Sequence, residues 1–271
     1  MVKKLIKHEF IYYARTLSIF LPLVLVIGVM ARVIQFFESE SFIYAFVSGS
    51  SLFMLYVAVM ACMILTTVLS IVRVYKNMYT SEGYLSFTLP VTNAQHIFVK
   101  VLVSVVCSFV SLLTVIVSAM IAFSGVTMKE ILNVFKYLIV HELFEKIDSI
   151  HLVFFIIEFA IMVLISAISA PLMYYTCITI GQTARKNRIL SAVGVYFIYY
   201  MATQVISTVF TVVWMIAVEM GALDGLLKFA EAHPYTVAHT AFIVSIVVNA
   251  AIATALYFVT LRIMNRKLNL E

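Results

Sequence analysis

The chain alternates long apolar runs with short polar bridges. Six runs are long enough to cross a hydrocarbon layer of roughly 30 Å, which takes about 20 helical residues. They lie near 17–37, 48–72, 95–124, 151–180, 189–218 and 236–261. This pattern predicts an all-α polytopic membrane protein, a single transmembrane domain over residues 1–271 set in the lipid bilayer. The runs do not alternate apolar with polar residues at a period of two, as the strands of a membrane β-barrel would.

The bridges differ in kind. In residues 2–14, Val2, Leu5, Ile6 and Phe10 fall near helical spacing opposite Lys3, Lys4 and Lys7. That predicts an amphipathic N-terminal helix lying in the cytoplasmic interface. Its charge is that of a secretion signal, but the apolar run behind it is too long and no small-residue cleavage site follows. Between spans 3 and 4, Met128, Leu132, Phe135, Ile139, Leu143 and Ile147 recur every three or four residues among Lys, Glu, His and Asp. This predicts a second amphipathic helix, in the outer interface.

The bridge from Arg73 to Lys100 carries most of the readable function. Pro90 ends any helix before it, because it lacks an N–H and biases Leu89 away from helical ψ. Thr92, three residues before Gln95, reads as a capping box, so the next long helix starts at about Asn93. Between them, Thr80 or Ser81 can cap a short helix with Glu82 in its first turn. Tyr84, Leu85, Phe87 and Leu89 are too apolar for a plain connection, and a short helix carrying them on a membrane protein's cytoplasmic side fits a partner surface.

Composition sharpens the picture. The chain is 64% hydrophobic and 11% charged, with a mean hydropathy of +1.09, against about 45–50% and 25% in soluble domains. Thirteen Lys and Arg fall on the side that holds both termini and five on the other, so the positive-inside rule puts both termini in the cytosol. The net charge of +5 comes from scattered helix ends and is not a nucleic-acid footprint.

Polar residues inside the runs are the candidate site. Thr66, Thr67 and Ser70 lie near the inner end of span 2; singly, each hydroxyl can bond back to its own helix or to a neighbour. In span 5, Tyr200, Gln204, Ser207, Thr208 and Thr211 share one face, which predicts either a water-accessible cavity or a polar seam. Thr66 and Ser70 are candidates for the same cavity. Glu158 is the acidic residue placed within a span, and Arg32 is the basic residue at comparable depth. The two are an expected intramembrane ion pair, within one chain or across a dimer. Pro22 falls near the start of span 1, and Pro171 lies deep in span 4.

Catalytic chemistry is thin. Cys62, Cys107 and Cys177 are far apart and odd in number, and the six His show no ligand spacing, so neither a disulfide framework nor a metal site is expected. HELFE has Glu145 where H-E-x-x-H needs its second His, and neither a P-loop nor a G-x-S-x-G elbow is present. The chain is expected not to be an enzyme, and to need no cofactor itself.

The bridge resembles the signature of ABC-2-type permeases, the six-span subunits of ATP-driven exporters. That signature reads roughly E-G-x-L-x-x-x-x-P-[VL]-[ST], with a Lys in the next span. Here it is Glu82, Gly83, Leu85, Pro90, Val91, Thr92 and Lys100; Asn93 stands where the family commonly has a basic residue. The resemblance covers the whole chain in layout and about 20 residues in motif. It implies a permease subunit in a bacterial cytoplasmic membrane, paired with a second permease chain, identical or homologous. Two copies of a separate ABC ATPase would hold ATP and Mg and dock on Glu82, Gly83, Tyr84, Leu85, Phe87 and Pro90. It further implies export of an amphipathic or hydrophobic substrate, such as a peptide, antibiotic or lipid-like molecule, with roles in peptide export or antimicrobial resistance. The alternatives are a secondary transporter or channel, or an intramembrane enzyme using Glu158 with a His or second carboxylate on another span.

Overall fold

The computed structural model describes residues 2–37, 41–80, 83, 88, 90–124, 149–184 and 186–266. Among these are seven helices: α1 (Val2–Phe36), α2 (Phe42–Tyr79), α3 (Asn93–Ala122), α4 (Ser149–Gly181), α5 (Arg188–Glu219), α6 (Asp224–Ala232) and α7 (Pro234–Arg266). All but the short α6 are long and apolar enough to cross a membrane. The chain is an all-α, multi-pass membrane protein. It forms two compact units, Met1–Asp148 and Ser149–Glu271.

In unit one, α1, α2 and α3 pack on one another. The expected interfacial helix is not a separate element, because residues 2–14 are the first turns of a 35-residue α1. No Gly or Pro interrupts the chain before Pro22, and the apolar face of this segment has a protein partner. Val2, Leu5, Ile6 and Phe10 pack against the core of Tyr13, Leu17, Val99, Val103 and Cys107. Pro22 therefore stands inside the helix rather than at its start, where neighbouring helices and side chains make such a residue tolerable. At about 1.5 Å per residue, α1 and the 38-residue α2 exceed the hydrocarbon thickness by some 20 Å. Their ends project beyond the bilayer core.

The caps follow local sequence. Ser41 accepts the Tyr44 N–H at 3.2 Å to start α2. Thr92 accepts from Gln95 N–H at 3.4 Å, while the Gln95 side chain accepts from Thr92 N–H at 3.2 Å, the expected capping box opening α3.

Small residues set the seams, as helix contacts in lipid favour. On α1, Gly28 faces Ser118 of α3, whose hydroxyl donates to the Val24 carbonyl at 2.9 Å. In unit two, α4 packs against both α5 and α7, and its helix runs unbroken through Pro171. Gly181 meets Ala192 of α5 so closely that an added Cβ would stand 2.6 Å from it. Thr176 and Thr260 bond across α4 and α7 at 2.8 Å, both buried.

Candidate functional site

The most concentrated chemistry of unit one lies where α1 begins, α2 ends and α3 begins. Glu9 is 1% exposed, and each of its carboxylate oxygens has its own cation. Arg73 Nε donates to one at 2.8 Å, and Lys100 Nζ donates to the other at 2.8 Å. Lys100, itself 3% exposed, also donates to the Asn77 side-chain oxygen at 2.7 Å. The Arg73 guanidinium lies 4.4 Å from the centre of the Tyr12 ring, within reach of a cation–π contact. Among the described residues, three helices thus meet at one acid, two bases and an amide.

The position gives this cluster its meaning. Arg73 and Asn77 close α2, Lys100 opens α3, and the Arg73–Lys100 bridge runs between them. Glu9 therefore ties both roots of that bridge to the N-terminal turns of α1. Burying an ion is expensive, and breaking such a pair from one side costs about 3–5 kcal/mol. The arrangement is a rigid junction at the base of the bridge.

Of the expected docking residues, Gly83 is buried and its N–H donates to the Thr80 carbonyl at 2.8 Å, a turn directly after α2; Pro90 is exposed. Glu82, Tyr84, Leu85 and Phe87 lie outside the described residues, as does the outer amphipathic segment up to residue 148.

Thr66 and Ser70, expected to line a cavity, are 3% exposed and lie between α2 and α3. Thr66 bonds both the Cys62 carbonyl at 2.9 Å and the Ser111 hydroxyl at 2.9 Å, and Ser104 donates to Ser70 at 2.9 Å. These are two rungs of a polar seam. Hydrogen bonds between membrane helices average about 0.6 kcal/mol. A Thr66→Val and Ser111→Ala double-mutant cycle should therefore give a coupling energy below about 1 kcal/mol, read by thermal unfolding in detergent.

The span 5 stripe of Tyr200, Gln204, Ser207, Thr208 and Thr211 is exposed along α5. Thr208 donates to the Gln204 carbonyl at 2.8 Å and Thr211 to the Ser207 carbonyl at 2.9 Å. Their hydroxyls are satisfied by their own helix, which leaves the Gln204 amide as the strongest polar group on that face.

Glu158 and Arg32, the expected pair, belong to different units, and within unit two Glu158 has a partner of its own. Its two oxygens each lie 2.9 Å from His239 Nδ1 on α7. His239 Nε2 in turn lies 3.1 Å from His151 Nδ1 on α4. A His on another span was expected as the partner of Glu158 only under the intramembrane-enzyme alternative, with no particular residue singled out. The available signal was the spacing of His151 and Glu158, seven residues apart on one helical face, together with a His at similar depth in span 6. Among the described residues no set of three His, Cys, Asp or Glu is arranged to hold a metal ion.

Comparison with family models, with curated proteins and with solved structures finds no match to this chain.

Proposed function

We propose that this chain is the permease subunit of an ATP-driven exporter of the ABC-2 type, working with a separate ATPase and a second permease chain. The observation that carries the reading is the Glu9–Arg73–Lys100–Asn77 junction at the roots of the bridge that bears the signature residues. A partner pushing on Tyr84, Leu85 and Phe87 would act on a segment whose two ends are clamped to three helices. Displacement would then pass to α1, α2 and α3 together instead of being absorbed at the loop's ends. Nucleotide must favour one packing over the other by a few kcal/mol for this to shift populations. The cargo class, amphipathic or hydrophobic, follows from the resemblance, and the membrane would be the bacterial cytoplasmic one.

Changing Leu85 or Phe87 to Asp should detach the ATPase, measured as its loss from the purified complex, while circular dichroism of the permease stays helical. Full retention of the ATPase by both variants would sink the docking assignment. A second reading, a proton-driven secondary transporter, draws support from the ionisable Glu158–His239–His151 series within the spans, the kind of group such transporters require. The energy source separates the two: transport that survives loss of ATP but not of the proton gradient favours the second.

A further inference from the structure

The end of unit two where α4 and α7 both begin holds three titratable side chains in hydrogen-bonded series. We propose that Glu158, His239 and His151 form a proton-binding site, a relay that takes up one proton through His151 and stores it on His239. The site rests on unit two alone and is independent of how the chain is powered. The charge bias places it toward the outer face.

Geometry assigns each ring a task. His239 stands between the other two, with Nδ1 at 2.9 Å from both Glu158 oxygens and Nε2 at 3.1 Å from His151 Nδ1. Each ring is held in plane. Phe155 stacks on His239 at 4.2 Å and 15°, and Tyr235 stacks on His151 at 4.5 Å and 9°. An imidazolium at His239 would be held by the Glu158 carboxylate on one edge and by the Phe155 face. His239 and Glu158 retain 17% and 15% side-chain exposure, and His151 is half-buried. Among the described residues, the other titratable groups of this end are Tyr235 against His151, Glu219 closing α5, and Asp224, Lys228, Glu231 and His233 on and after α6, which packs on α7.

The proton balance is simple. Before uptake, His239 donates Nδ1–H to Glu158, and its Nε2 accepts the Nδ1–H of His151. A proton from water binds His151 Nε2, and the His151 Nδ1 proton passes to His239 Nε2. Two N–H bonds form, at His151 Nε2 and His239 Nε2, the His151 Nδ1–H bond breaks, and the hydronium ion that gave the proton becomes water. His239 is then an imidazolium against the carboxylate, and His151 is neutral with its proton on Nε2. A second proton on either ring would put hydrogens on both nitrogens that face each other across 3.1 Å, so the His–His bond fails. The capacity of the hydrogen-bonded pair of rings is one proton.

The test is ring-15N histidine spectroscopy of the full chain in nanodiscs of phosphatidylethanolamine and phosphatidylglycerol, over about pH 5 to 8, where histidine changes charge. His151→Gln and His239→Gln assign the two rings. In one step, His239 should gain protons on both nitrogens while His151 moves its proton from Nδ1 to Nε2 without becoming charged. Glu158→Gln should abolish the preference, so that the added proton appears on either ring. Independent titration of the two rings, a charged His151 beside a neutral His239, or the same spectra in Glu158→Gln would overturn the proposal. Should Glu158→Gln not fold, His151→Phe keeps the stack on Tyr235 and removes the entry nitrogen. Exchange of the His239 proton with water should then slow by at least about tenfold, the scale of a lost general acid–base, and unchanged exchange would overturn it.

Discussion

Glu9→Gln should be the most damaging single change in unit one, lowering stability by about 3–5 kcal/mol, the cost of leaving a buried charge without its partner. The carboxylate is 1% exposed and Lys100 is 3% exposed, so water cannot replace what is lost. Removing it takes away the acid that Arg73 and Lys100 share and puts a neutral amide between the two cations. The loss is not the worth of the pair, because buried ion pairs replaced whole by apolar residues are often neutral or better. A Glu9→Met, Lys100→Met double variant, with Arg73 left partly exposed at 16%, should therefore recover much of the loss. Thermal unfolding in detergent reads both. A double variant as unstable as Glu9→Gln would mean that packing at this junction matters more than charge.

Gly28→Ala should destabilise, whereas Gly49→Ala should not. Both glycines lie inside long helices, where Ala is better than Gly by about 1 kcal/mol on propensity alone. At Gly49 an added Cβ meets nothing within 4 Å, so that gain should appear in full. At Gly28 the Cβ would stand 2.8 Å from the Ser118 carbonyl oxygen and 3.3 Å from its Cα. These are backbone atoms that a rotamer change cannot move, so α1 and α3 must separate. That opens the Ser118–Val24 hydrogen bond and the packing of Ala31, Leu55 and Ala122 nearby. Overpacking costs about 1–3 kcal/mol, so the clash outweighs the propensity. Unfolding temperatures that move in opposite directions are the expected result, and equal gains at both sites would contradict the close contact.

What was legible in the sequence is what is local. Six spans follow from six apolar runs, and the start of α3 at Asn93 follows from Thr92 and Gln95, partners three residues apart. The Glu9 junction was not legible, because its members stand 64 and 91 positions from the acid and no spacing rule links them. A hint was present: Glu9 is the lone acid among Lys3, Lys4, Lys7 and Arg15, where the positive-inside bias needs none. The same segment is ambiguous about the surroundings of its helix. An apolar face on a basic helix fits a membrane surface as well as it fits a neighbouring helix, and only the contacts with Val99 and Val103 decide. Glu158 and His239, 81 positions apart, were hidden for the same reason.

The junction and the relay occupy different units and do different work. Glu9 ties three helix ends around the bridge, and in the proposed exporter its role is mechanical. Glu158 lies between membrane-spanning helices with His239 as its partner, and the role we propose for it is to hold a proton. Thr66–Ser111, Ser70–Ser104 and Thr176–Thr260 are rungs that register neighbouring helices without ionising.

The central claim, that a separate ATPase drives this chain, is tested most directly by purifying the chain in mild detergent from the membranes of its own cell and assaying ATP hydrolysis. The expected result is a P-loop subunit held in equal number to the permease chains, with a hydrolysis rate that changes when Leu85→Asp replaces the wild type. A chain that purifies intact without any nucleotide-hydrolysing partner, and that moves cargo in vesicles under a proton gradient alone, would contradict it.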